Sequence, residues 1–458
     1  MSLPNNHHPA SFRDPSGYVF EKNGQIFRFV STLYRNHYDH LMQSGLYQTL
    51  IKKHLMLPFT EVEAKENTTS YCYKILHPQQ IPFLNYVWEW SFEQLKDAAL
   101  ATLRICKTAL EKGMILKDAT HLNIQFVEGK PQLIDILSLE LYKEGTPWIA
   151  YRQFCECFLN PLLLAAYHGM EVHQLLLAHP EGVNASYTAR LLPFTTKFKA
   201  SVFLHVHLHA RMKNKKNGDQ GAAKEKPLSK QQLKNILQSL EDCISKLKLP
   251  AEVSTWSNYY EETIISNNYL SAKKTKMQQW LQQLNYTTVC DFGANEGEFS
   301  KLCKQDALVV STDFDSRCIG TLYNNLKKEK IHNILPLVLD ITQPSPAMGW
   351  DNKEQNSFFS RKQFDLGFAL ALIHHLTIGK NIPFAMVASL FAKYTQQLII
   401  EFVPKSDPKV TGMLSTREDI FSNYTIEEFE KTFSSYFTII KKESIEHSER
   451  TLYLMQKK

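Results

Sequence analysis

Polar and apolar positions follow two rhythms along this chain. In the last third, short apolar runs rich in β-branched residues recur between stretches with helical spacing. TTVCDF from Thr287, ALVVSTD from Ala307, ILPLVLD from Ile334, FDLGFALAL from Phe364 and QLIIEFV from Gln397 read as buried strands. GEFSKLCKQ, SRCIGTLYNNLKKEK and IPFAMVASLFAKYTQQ, which lie between them, read as helices. Strands alternating with helices predict an α/β domain with a doubly wound parallel sheet, covered on both faces. The tail adds a helix, TIEEFEKTFSSYF, and two strands, FTIIKKESI and RTLYLMQKK, expected as a hairpin or an antiparallel edge. Trp256 to Leu284 reads as a helical lead-in, so the domain is expected to start near Ala251.

The first half is mixed. NGQIFRFV is a turn followed by a strand, and SFEQLKDAALATLRICKTALEKG is one amphipathic helix stopping at Gly113. EGKPQLIDI reads as a turn and a strand, and helices dominate from Pro147 to about Arg211. MKNKKNGDQGAAKEKPLSK, from Met212, is polar and aperiodic and reads as a solvated linker. A helix, LSKQQLKNILQSLEDCISKL, follows. The expected organisation is an α+β N-terminal region over 1–145, a helical region over 146–250 with the linker near 212–230, and the α/β domain over 251–458.

Composition narrows this picture without redirecting it. With 458 residues, 43% hydrophobic and 21% charged, the chain is an ordinary globular protein of two or three domains. No apolar run reaches the ~18 residues of a spanning helix, and the first residues lack the features of a secretory signal. Eight cysteines without a CxxC pair point neither to a disulfide framework nor to zinc, so no metal is expected and a reducing cytoplasm fits best. A net charge of +6 permits a nucleic-acid partner without indicating one.

The chemistry concentrates in VCDFGANEGEFS, where a strand hands over to a helix. Asp291 closes the strand, and Gly293 and Gly297 let the chain turn tightly and a ligand press on the backbone. A helix opening at Glu298 is expected to present unpaired N–H groups. The second strand ends in Asp313, with Asp315 just beyond, and the third ends at Asp340. An acid at the end of the second strand is where such sheets hold a ribose. Carboxylates at three successive strand ends predict a nucleotide-like ligand outside the carboxyl edge. GxxxG in place of GxGxxG argues against a dinucleotide.

DxGxxxG, then Asp313, Asp340 and a fourth strand ending IHHL, resembles the class I S-adenosylmethionine-dependent methyltransferases over the last 170 to 200 residues or so. The resemblance implies a Rossmann-like sheet and S-adenosyl-L-methionine as cofactor. It assigns Asp291, Gly293, Ala294 and Gly297 to the loop at the methionine part, Asp313 to the ribose, and Asp340 with Ile341 to the adenine. It implies that the lead-in segment, with Lys273 and Lys274, either closes over the cofactor or is an ordinary packing helix. His374, His375 and Glu401 stand where the acceptor should enter and are the candidates for a general base. ALIHHL is not the NPPY-like motif of enzymes that methylate DNA amino groups. The acceptor stays open, with a small molecule or saccharide favoured over RNA or protein. The competing reading is a non-catalytic S-adenosylmethionine-binding module.

Two weaker signals lie upstream. LKDATHLNIQFVEGKPQLIDILS places Asn123 five residues after Asp118, with Asp135 further on, which resembles the catalytic loop and metal-binding aspartate of protein kinases. Leu116-Lys117 replaces His-Arg, Asp135-Ile136-Leu137 replaces Asp-Phe-Gly, and no glycine-rich loop is visible, so the resemblance implies a degenerate scaffold. Lys74 is a candidate for the phosphate-side lysine. His205, His207 and His209 would share a face only on a strand, and their surroundings read as helical. The two-part layout is similar to that of bacterial nodulation-type methyltransferases.

Overall fold

A computed structural model describes residues 7–63, 71–211, 227–250, 267–415 and 417–458. Residues 212–226 of the expected linker, and 251–266 with the first part of the lead-in, lie outside the described residues. The chain divides into two compact units, one of residues 1–252 with 347–356, the other of 253–346 with 357–458.

In the first unit, β1 (Gly17–Lys22), β2 (Gln25–Ser31), β3 (Phe59–Val62) and β4 (Cys72–Pro78) form an antiparallel sheet in the order β1-β2-β4-β3. The helix Phe92–Glu111 starts on a reciprocal cap: Ser91 Oγ accepts from Gln94 N–H, and the Gln94 side chain accepts from Ser91 N–H. It stops where Gly113 takes φ +76, a left-handed turn that suits glycine. Four short strands follow: β5 (Met114–Leu116), β6 (Ile124–Val127), β7 (Lys130–Leu133) and β8 (Leu139–Leu141). β6 pairs with β7 and β5 with β8. The helices Asn160–His168 and Lys230–Ser245 belong to the same unit.

The second unit holds β9 (Thr288–Phe292), β10 (Leu308–Asp313), β11 (Ile334–Val338), β12 (Phe364–Ala369), β13 (Thr395–Phe402), β14 (Phe437–Ser444) and β15 (Thr451–Lys457). They form one sheet in the order β11-β10-β9-β12-β13-β15-β14, with β9 to β13 parallel. This is the doubly wound α/β arrangement, and the order reverses between β9 and β12, where ligands enter such sheets. The tail strands pair as expected, but β15 turns inward: it lies antiparallel to both β13 and β14. Its LYLM core is buried on both faces, which an edge strand could not be. Val289, Val309, Leu366, Ile399 and Leu452 meet Met277 and Trp280 of the helix Asn267–Gln283 in the core on one face.

Three boundaries differ from the expectation. The helix after the glycine turn shrinks to a single 3-10 turn, Ser300–Leu302, because Cys303 breaks to extended backbone. β11 stops two residues before Asp340. β12 ends at Ala369, so the adjacent histidines lie beyond the strand: His375 opens a wide π turn, His375–Gly379, His374 is the residue before it, and the segment is entered through Ala371 at φ +50.

Candidate functional site

The carboxyl ends of β9, β10 and β11 surround a cavity of about 300 Å3, within the size range of small-molecule sites. Asp291, Gly293, Ala294, Asp313, Asp340, Ile341 and His375 line it; Gly297, His374 and Glu401 do not.

The glycine turn is shaped by bonds to β10. Gly293 N–H (2.8 Å) and Ala294 N–H (2.9 Å) both donate to Thr312 O, and Gly297 N–H donates to Ala294 O. These amides are therefore spent within the protein. The loop offers a ligand a bare backbone surface, not the cluster of unpaired N–H groups expected from a helix start. Gly293 needs its left-handed φ of +80, and a Cβ there would find ordinary contact at 3.5 Å from Leu372. Gly297, expected at the cofactor, does a packing job: at φ +76 its missing Cβ would lie 2.5 Å from Leu322 Cδ1 of the helix Ser316–Glu329.

The three acids differ in their surroundings. Asp291 accepts from Ser300 Oγ at 2.6 Å, and Ser300 Oγ accepts in turn from Ser311 Oγ. Burial pushes its carboxyl up to about 7. Asp313 accepts from Asn295 N–H (2.8 Å) and Asp315 N–H (2.9 Å), yet burial still pushes it up to about 6. Both sites would gain from a ligand carrying hydroxyl donors or positive charge. Asp315 caps the next helix through Arg317 N–H and Cys318 N–H, which accounts for it without a ligand. Asp340 ties Thr342 by its N–H and its hydroxyl, placing Ile341 and Thr342 in the wall.

The candidate bases look different in three dimensions. Glu401 sits within β13 with no exposure, bonded to Tyr269 Oη and Lys273 Nζ, while accepting Ala371 N–H at 2.8 Å. Burial alone would raise its carboxyl, but Lys273 and Arg450 outweigh that and hold it ionised below the ordinary range. A carboxylate so saturated holds structure; it is no base facing an acceptor. It pins Ala371 in its left-handed conformation and so fixes the turn that carries His375. His374 is fully buried, with neither ring nitrogen hydrogen-bonded, and burial holds it far below the ordinary imidazole range. His375 reaches the cavity, and burial, helped by Arg450 and Lys409, lowers it to about 4. Both imidazoles are neutral at pH 7.

Sequence reasoning missed Tyr269 and Arg450, which line the cavity with Lys273. Arg450 donates to Tyr269 Oη (3.1 Å) and pairs with Asp407 (2.7 Å), so its charge is balanced in place. Tyr269 and Lys273, one helical turn apart, carried a readable periodicity. Arg450, just before β15, gave no signal. Lys273 also lies 4.5 Å over the Phe299 ring, so the lead-in helix both packs and lines the site.

The kinase-like constellation of the first unit is assembled but closed on itself. Asp135 Oδ1 meets Arg28 Nη1 at 2.5 Å and accepts Leu137 N–H, while Oδ2 accepts from Ser138 Oγ, which in turn accepts from Asn123 Nδ2. Asp118 accepts Thr120 N–H, and Lys74 pairs with Glu61, not with Asp135. An arginine already neutralises the carboxylate that a divalent cation would need, so these residues do not fit a magnesium nucleotide. The histidines of 205–209 follow a helical path: His205 joins Tyr151 and Ser239, and His207 joins Thr196. Among the described residues no group of three or more His, Cys, Asp or Glu side chains is placed to hold a metal, and no helix is long and apolar enough to cross a membrane.

No family model matches the chain. Among solved structures, similarity is found to the N-methyltransferase NodS of Bradyrhizobium japonicum WM9 (14% identity, TM-score 0.32, 42% of this chain and 98% of that one). It is also found to the magnesium protoporphyrin IX methyltransferase ChlM of Synechocystis PCC 6803 (15%, 0.31, 44% and 93%) and to WbdD, described as a bifunctional kinase-methyltransferase (17%, 0.32, 46% and 46%). Nodulation protein NoeA of Rhizobium meliloti (strain 1021) is 32% identical over 458 residues, spanning 98% of this chain and 95% of that protein. With so much of both chains aligned at that identity, the protein belongs to the NoeA family of nodulation proteins.

Proposed function

We propose that the second unit is an S-adenosylmethionine-dependent methyltransferase whose acceptor is a small molecule or a saccharide. The observation that carries this reading is the convergence of Asp291, Asp313 and Asp340, from three successive strands, on one cavity beside the Gly293 turn. Asp313 would hold the ribose hydroxyls, Ile341 and Thr342 would flank the adenine, and the Gly293–Ala294 backbone with Asp291 would face the methionine part. When bound, the cofactor supplies an electrophilic methyl group on a sulfonium.

The chain's own residues would align and dehydrate. Leu370, Leu372 and Leu376 make the far wall apolar, which excludes water and holds an acceptor at near-attack distance. His375, neutral at pH 7, can accept a hydrogen bond from a nucleophilic hydroxyl or amine and orient it. With its pKa near 4 it is a weak base, so alignment carries more of the rate than proton removal. The compact, partly apolar cavity supports a small acceptor or a single sugar residue.

The absence of a strong base also favours a second reading, a module that binds the cofactor without turning it over. Incubating the protein with methyl-labelled cofactor and fractionated bacterial extract separates the two. Label entering the small-molecule or saccharide fraction, and lost with Asp313→Asn, is the expected result. Cofactor binding without label in any fraction would select the second reading. For the first unit, the Arg28–Asp135 pair supports an accessory scaffold without phosphotransfer. A cytoplasmic location remains part of this proposal.

A further inference from the structure

The first unit displays an aromatic pair that its own fold does not cover. Phe194 and Phe198 are 66% and 79% exposed, among the most exposed large apolar side chains described. They occupy one 3-10 turn, Phe194–Phe198, with ring centroids 5.7 Å apart in an edge-on arrangement. Single exposed apolar residues are ordinary on protein surfaces, but two touching phenylalanines on a rigid turn are not.

The turn is held from beneath. Thr196, at its centre, is fully buried; its hydroxyl donates to Pro193 O at 2.6 Å and meets His207 Nε2 at 2.8 Å. Because the hydroxyl proton is spent on Pro193, His207 must donate to the oxygen. Pro193 sets the entry, and the Thr196–His207 bond fixes the turn to the following helix. The phenylalanines thus project from a locked base, and their exposure is a property of the fold.

Along the sequence that carries the pair, charge has one sign. Between Glu181 and Arg211 the sequence contains no Asp or Glu, while Arg190, Lys197, Lys199 and Arg211 are present and exposed. The sequence continues with Lys213, Lys215 and Lys216 before the next acid, Asp219. Elsewhere the signs nearly balance, 52 basic against 46 acidic residues in the whole chain. The Lys197 ammonium nitrogen lies 4.4 Å from the centroid of the Phe194 ring, a cation–π contact that holds a positive charge beside the exposed pair.

We propose that this turn is a membrane-surface anchor: Phe194 and Phe198 enter the headgroup–acyl boundary of an anionic phospholipid bilayer, and Arg190, Lys197 and Lys199 meet its phosphates. Projecting apolar tips ringed by cations match an interface that is hydrocarbon below and negative above. A nucleic acid would use the cations but would gain little from two phenylalanines pointing edge to face instead of offering a stacking platform. One such turn gives reversible binding and is compatible with a chain that dissociates readily.

The test is sedimentation of the full-length protein with vesicles of phosphatidylcholine alone, and with roughly one third phosphatidylglycerol, a composition whose negative charge attracts basic segments. Wild type should pellet with the anionic vesicles only, and added salt should release it. Phe194→Ser/Phe198→Ser should lower the partition coefficient by about tenfold or more, as should Lys197→Glu/Lys199→Glu. Both pairs are surface residues, and unchanged circular dichroism and unchanged S-adenosylmethionine binding would show the variants folded. Three results would overturn the proposal: no preference for anionic vesicles, vesicle binding that survives loss of both phenylalanines, or a lipid-independent dimer abolished by the Phe194→Ser/Phe198→Ser change. Binding to RNA that outcompetes vesicles and ignores the phenylalanines would overturn it too.

Discussion

The two units each gather aspartates at the ends of short strands, and they treat them in opposite ways. In the second unit Asp291 and Asp313 are buried against a cavity with no cation bonded to either, and their carboxyls are pushed up to about 7 and about 6. In the first unit Asp135 is neutralised by Arg28 and its second oxygen is taken by Ser138. A carboxylate without a paired cation is poised for a ligand, whereas one supplied with an internal cation is a fastening. Residue type and spacing were similarly suggestive in both places; the partner atoms decide between them.

That contrast breaks most visibly at the buried ion pairs. Lys273 and Glu401 are 3% and 0% exposed, against 13% and 21% for Arg28 and Asp135. Lys273→Met should therefore destabilise the protein by about 3–5 kcal/mol in urea unfolding, by leaving the buried Glu401 carboxylate with only the more distant Arg450, already paired with Asp407, as counter-charge. Arg28→Ala should cost only about 1–2 kcal/mol, because water reaches Asp135. Combining Lys273→Met with Glu401→Leu should recover much of the larger loss, since no uncompensated charge remains. Equal costs for the two single changes would remove the distinction between the units.

Gly297→Ala comes next. It should cost about 1–3 kcal/mol from the left-handed backbone, plus a clash with the Leu322 side chain; Leu322→Ala would remove the clash but leave the backbone strain. Cofactor affinity of the folded fraction should change little, as Gly297 does not line the cavity.

A smaller effect concerns pH. Because the folded pKa values of Asp291 and Asp313 are raised, the stability they contribute is present below about pH 4, where both states are protonated. It is lost as pH rises through about 6 to 7. Cofactor binding should run the other way, weakening as pH falls through about 6, by at most about tenfold per unit, because under the proposed assignment the carboxylate of Asp313 would be the form that accepts ribose hydroxyls. A flat affinity between pH 5 and 7.5 or so would contradict this assignment. The smallest expected effect is none: magnesium with ATP should leave the melting temperature unchanged, as the closed Arg28–Asp135 pair requires. A saturable shift abolished by Asp135→Asn would contradict it.

The sheet was legible because its strands are continuous apolar runs, and continuous runs belong to buried parallel strands. Asp291, Asp313 and Asp340 were legible because each follows such a run. The helix expected after Gly297 failed because GEFSKLCKQ has helical spacing but too little length, and local bonds to β10 outweighed it. Glu401 and His374 were misjudged for one reason: position along a strand indicates which end of the sheet a residue occupies, not which side chains reach it. Tyr269 and Lys273 share one helix, but Arg450 and Glu401 come from segments far from it in sequence, and nothing in their own surroundings predicts that the three meet at one carboxylate.

The central claim is that the cleft of the second unit binds S-adenosylmethionine through Asp313. Calorimetric titration of the full chain with S-adenosylhomocysteine at neutral pH tests it directly. Saturable one-site binding by the wild type, abolished by Asp313→Ala while the unfolding transition stays cooperative, is the expected result. Binding unaltered by that substitution, or no binding by the folded wild-type protein, would contradict it.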